Sequence, residues 1–472
     1  MNPKMFGHKL VRAVAAVTVL GLSVSVGAGA ALADRPPTIN PGLLPADGSP
    51  HPPGDTEQPA NTPCMSTTPG GDGPTIPASQ ATLDLPDAWK FSTGAGVLVG
   101  VIDTGVVRHP RLPGLIAGGD YVSTGDGTQD CDGHGTAVAG LIAASRVPGQ
   151  GFAGVAPDAR IITVRQTSEF YQKKGAAAQK DPNAMPDGYG NTSTMAQAIV
   201  HEANMGAKVI NLSEVACPPG NLSDGDVGAA VQYAAMQKDV VIVVAAGNND
   251  VCKGTNPVQD PTDPTADPWS KVTMNVTPAR YDDYVLSVGS INSATGAASK
   301  FTVPGPWVGV AAPGENITSL DVNFTDPKSK GTATGFSKRG QTPIPMDGTS
   351  FASPYVAGLA ALIRSRYPQM TAHQVIQRIE ATAHAPAEGW NPYVGYGTID
   401  PVAALTDQIP HKLPPKRAFA PTSWQLPVPP TPPVPDHTAR NVALIGSGTI
   451  AVLLILGFLA SFPIRRRLGM RD

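Results

Sequence analysis

Met346-Asp347-Gly348-Thr349-Ser350-Phe351-Ala352-Ser353-Pro354 joins a turn of small residues to an apolar run with Val356, Leu359, Ala360 and Ile363 at helical spacing. The periodicity predicts a buried helix with Ser350 in its first turn. Gly348 is read as the residue that lets the backbone bend tightly there. The helix start offers free N–H groups and the positive end of a dipole. A hydroxyl in that place can attack a carbonyl, with the resulting oxyanion lying against backbone donors. Taken alone, Gly-Thr-Ser before a helix is also an ordinary N-cap. Its meaning depends on what the rest of the chain brings to it.

Outward from this stretch, short apolar runs alternate with helical segments. The runs fall at 96–102, 160–164, 208–212, 240–245, 284–288 and 308–311. The helical pieces fall at 135–144, 194–205, 227–237 and 351–366, with a last one from about 371, where Thr371 and Gln374 form a Thr-x-x-Gln capping box. Continuously apolar strands separated by helices imply an α/β fold, a mostly parallel sheet with helices on both faces. Ligands on such sheets bind outside the carboxyl ends of the strands. Two polar stretches, 166–191 and 253–278, lack either period and are read as surface loop insertions suited to contacts.

The flanks have a different composition. Of 472 residues, 41% are hydrophobic and 15% charged, and the net charge of −3 gives no electrostatic case for binding nucleic acid. Lys4, Lys9 and Arg12, an apolar run from Ala13 and the ending Ala31-Leu32-Ala33 read as a secretory signal peptide over 1–33. Residues 34–80 are rich in Pro, Gly, Thr and Ser, form no core, and should run extended over the surface of a domain at 81–406. Residues 407–440 form a proline-rich linker favouring polyproline conformation. The stretch 442–462 carries no charge and spans roughly 30 Å as a helix, so one transmembrane helix is placed at 441–463. Arg465, Arg466, Arg467 and Arg471 follow, which puts the tail, 464–472, in the cytoplasm. Four cysteines in the exported part read as two disulfides. Three pairings are possible; the expected one is Cys64–Cys131, pinning the N-terminal extension, with Cys217–Cys252 tying two strand-end loops. The spacing is not that of a zinc site.

Three further motifs complete the picture. Gly100-Val101-Ile102-Asp103-Thr104-Gly105 puts Asp103 where an apolar strand ends in a glycine turn. Asp-Thr-Gly also marks aspartic proteases, but they need a second such motif, and the chain has none. Asp130-Cys131-Asp132-Gly133-His134-Gly135-Thr136 opens a small-residue helix with a histidine between two glycines. Ala245-Ala246-Gly247-Asn248-Asn249 ends the strongest apolar strand. The order Asp103, His134, Ser350 on a parallel sheet differs from the chymotrypsin and α/β-hydrolase orders.

On these residues the chain resembles the subtilisin-like serine proteases from about residue 83 to 405, including Val394-Gly395-Tyr396-Gly397-Thr398-Ile399-Asp400. With its signal peptide, proline stalk, terminal anchor and two cysteine pairs it is similar to one branch, the mycosins, membrane-anchored proteases of mycobacterial type VII secretion systems. The resemblance implies Ser350 as nucleophile, His134 as base and then acid, Asp103 as its orienting carboxylate, and Asn248 as oxyanion donor. It implies exported protein substrates, association with the type VII membrane core complex, and no cofactor. A mainly architectural role in that complex is the alternative.

The sequence departs from the subtilisin pattern in three places. Asn211-Leu212-Ser213-Glu214-Val215 stands where Asn-Met-Ser-Leu-Gly is common on the strand lining the cleft. Val215 is expected to crowd the specificity pocket and Glu214 to face the cleft, giving narrow specificity. The segment 145–151 lacks acidic ligands and Arg111 replaces the usual aspartate, so no calcium is expected there. The extension is too short and proline-rich to resemble a folded inhibitory propeptide, so it is expected to stay attached.

Overall fold

Val241–Ala245 sends alternate side chains into two different cores, Val241 and Val243 on one face, Ile242 and Val244 on the other. A β-branched run with no polar position suits a strand covered on both sides. It is the fifth of seven strands, numbered in chain order as β1 Leu98–Asp103, β2 Ile116–Asp120, β3 Arg160–Arg165, β4 Val209–Leu212, β5 Val241–Ala245, β6 Val285–Ile291 and β7 Val308–Pro313. Their spatial order is β7-β6-β5-β4-β1-β3-β2, and every neighbouring pair is parallel. This computed structural model describes residues 38–60, 62–175, 188–217, 222–257, 267–326, 329–338, 341–409 and 436–467.

Helices cover both faces. α1 (His134–Ala143), α4 (Thr349–Arg366) and α5 (Ala372–Thr382) pack on the face of Val99, Val101 and Val243. α2 (Thr192–Asn204) and α3 (Gly225–Gln237) pack on the face of Ile102, Ile210 and Val244. α1 is buried at every position after His134, and its glycines and alanines let it lie close to its neighbours. A Cβ on Gly140, for example, would stand 2.6 Å from Ser319 Oγ. The Thr371–Gln374 capping box starts α5. A short α6, Pro401–Thr406, closes the domain.

The strand order turns around β1, which lies between β4 and β3. The carboxyl ends of β1, β4 and β5 therefore open onto one region, where such sheets bind ligands. Asp103 ends β1, Ser213 and Glu214 follow β4, and Asn248 follows β5.

The structure corrects the sequence reading at several points. Ile116–Asp120 is a strand the reading left out: its Ile-Ala-Gly-Gly-Asp sequence has one large apolar residue and sits at the sheet edge. A second, antiparallel sheet was also unforeseen; its strand Thr332–Ser337 pairs with Ser319–Leu320 and Ile344–Pro345 and with Ser66–Pro69 of the extension. The extension is thus partly built into the fold. Thr56–Glu57 pairs with Gln172–Lys173 inside the first polar insertion, and Ala78–Ala81 is already helical with Ser79 and Gln80 buried. The disulfides are Cys64–Cys131 and Cys217–Cys252, as expected. Residues 176–187 and 258–266 of the insertions, the signal peptide and most of the linker lie outside the described residues.

α7, Thr438–Arg467, belongs to a unit separate from the one that holds the seven-stranded sheet. Its span Thr438–Ile464 is long and apolar enough to cross a membrane.

Candidate active site

Asp103 is fully buried at the end of β1, and its Oδ1 accepts hydrogen bonds from Thr104 N (2.7 Å) and from His134 Nδ1 (2.7 Å). The close approach of α1 to β1 depends on glycine. A Cβ on Gly135 would lie 2.1 Å from the Gly105 carbonyl oxygen and 3.1 Å from Asp103. Gly133, at φ 76°, takes the left-handed conformation that turns the chain into α1. Both glycines beside His134 thus serve the pairing with Asp103.

Asp130 fixes this junction, and the sequence reading passed over it. Its Oδ1 accepts from Thr104 Oγ1 and Gly133 N, and its Oδ2 from Thr136 N and Thr136 Oγ1. Thr104 Oγ1 accepts in turn from Gly135 N at 2.9 Å. Burial raises the Asp130 carboxyl pKa, and these bonds oppose the rise. The signal available in sequence was an aspartate ahead of a helix with Gly at +3 and Thr at +6.

Ser350 is the second residue of α4 and is partly exposed. Pro354 has no N–H to give to the Ser350 carbonyl four residues back. Ser213 Oγ takes that carbonyl instead, at 2.8 Å, and is itself bonded by Asn211 Nδ2 at 2.9 Å. The end of β4 is thereby stitched to the start of α4. Phe351 places its ring 5.1 Å from the His134 imidazole, and Phe336 stacks behind it at 6.3 Å. Among the described residues, Ser350 Oγ has no hydrogen-bond partner.

Asn248 is oriented by its acceptor side. Its Oδ1 takes Thr349 N (3.0 Å) and Thr349 Oγ1 (2.9 Å), so its Nδ2 points the other way. A Cβ on Gly348 would meet Ser350 Oγ at 2.8 Å and Asn248 Nδ2 at 3.2 Å, so these two atoms converge on one small space. Gly348 itself, at φ 158° and ψ 155°, holds a backbone conformation that residues with a side chain rarely adopt. Glycine is needed there both for that backbone and for room at the site.

Glu214 faces the cleft as expected and reaches further: its Oε1 lies 3.6 Å from His134 Nδ1. Burial disfavours a charged imidazole, but the carboxylates of Asp103 and Glu214 outweigh it and raise the His134 pKa to about 10. Burial pushes the Glu214 carboxyl up to about 7, and the His134 charge only partly opposes the rise. Val215 is half-buried and packs against the core of α2 and α3.

Away from the cleft, Arg111 is buried. Its guanidinium donates to the carbonyls of Ser145 (2.7 Å) and Phe152 (2.7 Å) and to Gln150 Oε1 (3.0 Å). A fixed cation thus sits among the oxygens of the segment where a calcium loop was considered. Burial lowers its pKa to about 10, which leaves it charged at neutral pH.

An aspartate, a histidine and a serine at the ends of a parallel sheet, with an amide beside the serine, are the furniture of a serine peptidase. The sequence profile of the subtilase family matches residues 94–397. Mycosin-4 of Mycobacterium tuberculosis is 43% identical over 457 residues, covering 96% of each chain. The solved structure of MycP1, described as a serine protease and essential component of the type VII (ESX-1) secretion system, is 44% identical. It superposes with a TM-score of 0.70 over 79% of this chain and 99% of that one. A chain of the intact ESX-5 inner membrane complex is 40% identical, with a TM-score of 0.71 over 91% of this chain and 99% of that one. The chain belongs to the subtilase family of serine peptidases and, within it, to the mycosins.

Proposed function

We propose that this peptidase works through an Asp103-His134-Ser350 triad on a few exported protein substrates. In the productive state His134 Nδ1–H donates to Asp103, leaving the Nε2 lone pair to take the Ser350 proton as Oγ attacks the scissile carbonyl. The oxyanion accepts from Asn248 Nδ2 and the Ser350 backbone N–H. His134 then protonates the leaving amine, and water repeats the sequence to free Ser350. The supporting observation is the pairing of Asp103 with His134 beside a serine whose Oγ shares one space with the Asn248 amide. Glu214 and Val215, in place of Leu-Gly in the cleft strand, favour narrow specificity. Signal peptide 1–33, anchor 441–463 and the arginines after it support a domain on the periplasmic side and a cytoplasmic tail, and the Cys64–Cys131 disulfide and the Ser66–Pro69 pairing support a retained extension.

A second role, architectural, is favoured by one observation. The related chain within the ESX-5 inner membrane complex aligns with 91% of this one, including far more than a protease core. We infer that this chain also joins a type VII membrane complex. The test is fluorophosphonate labelling of the detergent-solubilised full chain beside Ser350→Ala. Labelling at Ser350 alone is expected; a folded protein that takes no label overturns the triad. In cells, Ser350→Ala should abolish substrate clipping, and secretion that survives it marks the architectural role.

A further inference from the structure

Two carboxylates, not one, converge on the imidazole edge that a serine-peptidase triad reserves for a single aspartate. Asp103 Oδ1 is hydrogen-bonded to His134 Nδ1 at 2.7 Å, and Glu214 Oε1 stands 3.6 Å from the same nitrogen. One side-chain nitrogen or oxygen from each of Asp103, His134 and Glu214 lies within 4.8 Å of the other two. Glu214 is held there by its neighbour: Ser213 Oγ bonds the Ser350 carbonyl at 2.8 Å, so the segment after β4 is fixed against the start of α4. The triad aspartate is fully buried, whereas the Glu214 side chain is about one-third exposed to the cleft (36%), where substrate would lie.

We propose, resting on the triad reading, that Glu214 is a positioning residue that restrains the catalytic base, pairing with His134 in its cationic form until substrate or a partner displaces or neutralises the carboxylate. A cationic imidazole has no lone pair for the Ser350 proton, so the site rests in an idle state. The charged groups facing the imidazole add to the restraint. Asp103 ends β1, Asp130 precedes α1 and Glu214 follows β4; all three favour the cation, against the opposing pull of burial. Around Glu214 stand His134, Asp103 and Glu169, and Glu169 is itself met by Lys338 Nζ at 2.5 Å. Withdrawal of Glu214 removes one of these three carboxylates and leaves Asp103, the one the chemistry uses, with Asp130 behind it.

The experiment compares full-length wild type, Glu214→Gln and Ser350→Ala in detergent. The readouts are fluorophosphonate labelling rate against pH and an NMR titration of His134. Glu214→Gln keeps the side-chain size and drops the charge. Its acid limb should move down by at least one pH unit, with about tenfold faster labelling at neutral pH. An acid limb and His134 titration that coincide with wild type, in a variant that melts normally, overturn the proposal while leaving the triad intact. No Ser350 label in wild type at any pH overturns the triad itself. Should Glu214→Gln misfold, the wild-type titration still decides: His134 titrating near its ordinary value near 6.5 refutes the restraint.

Discussion

Asn248 is held by its oxygen and free at its nitrogen, and this division of labour makes it testable. Thr349 occupies Oδ1 through two donors, so the amide cannot turn over without losing both bonds. Removal of one oxyanion donor in subtilisin costs about 10²–10³ in turnover. Asn248→Ala should lose turnover on that scale with KM within a few-fold of wild type, as measured by steady-state cleavage of a peptide substrate. Asp103, His134 and Ser350 stand out in the sequence because Asp103 ends a strand and the other two start helices, each with a glycine within two residues. The supports were not legible. Asp130 and Thr104 act through backbone N–H groups, which every residue carries, and only the folded junction shows which ones they meet. Gly348 is legible for its backbone, while the room that its missing side chain leaves for Ser350 and Asn248 is visible only in the folded site.

At the level of elements, the apolar strands and their helices were readable because burial on both faces leaves an unbroken run of Val, Ile and Ala. The edge strand Ile116–Asp120 escaped because an edge needs less apolar character. The Ser66–Pro69 pairing with Thr332–Ser337 escaped because nothing local links residues so far apart in the chain. The loop around Arg111 differs from a calcium loop for a chemical reason: a cationic side chain and an absence of carboxylates make a poor home for Ca²⁺. The guanidinium now satisfies oxygens that would otherwise be buried unpaired. A melting temperature unchanged by chelator is expected for wild type. Arg111→Met should destabilise by about 2–5 kcal/mol, since the carbonyls lose their donors. Urea denaturation of the two proteins checks the second point.

Across the whole molecule, stability depends on a carboxyl that no motif or period marks out. Glu202 on α2 is fully buried beneath β1, so close that a Cβ on Gly100 would stand 1.9 Å from its Oε2. Burial raises its pKa well above the carboxylate range, with the Val101 backbone N–H opposing. The unfolded chain ionises near the ordinary value while the folded one keeps its proton. Stability from this group is therefore fully present below the unfolded pKa and is lost as pH rises from there toward the folded pKa. Glu202→Gln should accordingly melt higher than wild type at pH 8, with the gap narrowing toward pH 5 in thermal scans.

The N-terminal extension has one more consequence. Thr332–Ser337 is flanked on one side by Ser319–Leu320 and Ile344–Pro345 and on the other by Ser66–Pro69 alone. Its Phe336 backs the ring that touches His134. A chain lacking residues 34–69 altogether would bare a row of N–H and C=O groups beside the catalytic cleft, a template for any neighbouring molecule to stack upon. A retained extension would keep that edge from stacking on other molecules, and a chain lacking residues 34–69 is accordingly expected to sediment as larger species than the intact protein in analytical ultracentrifugation.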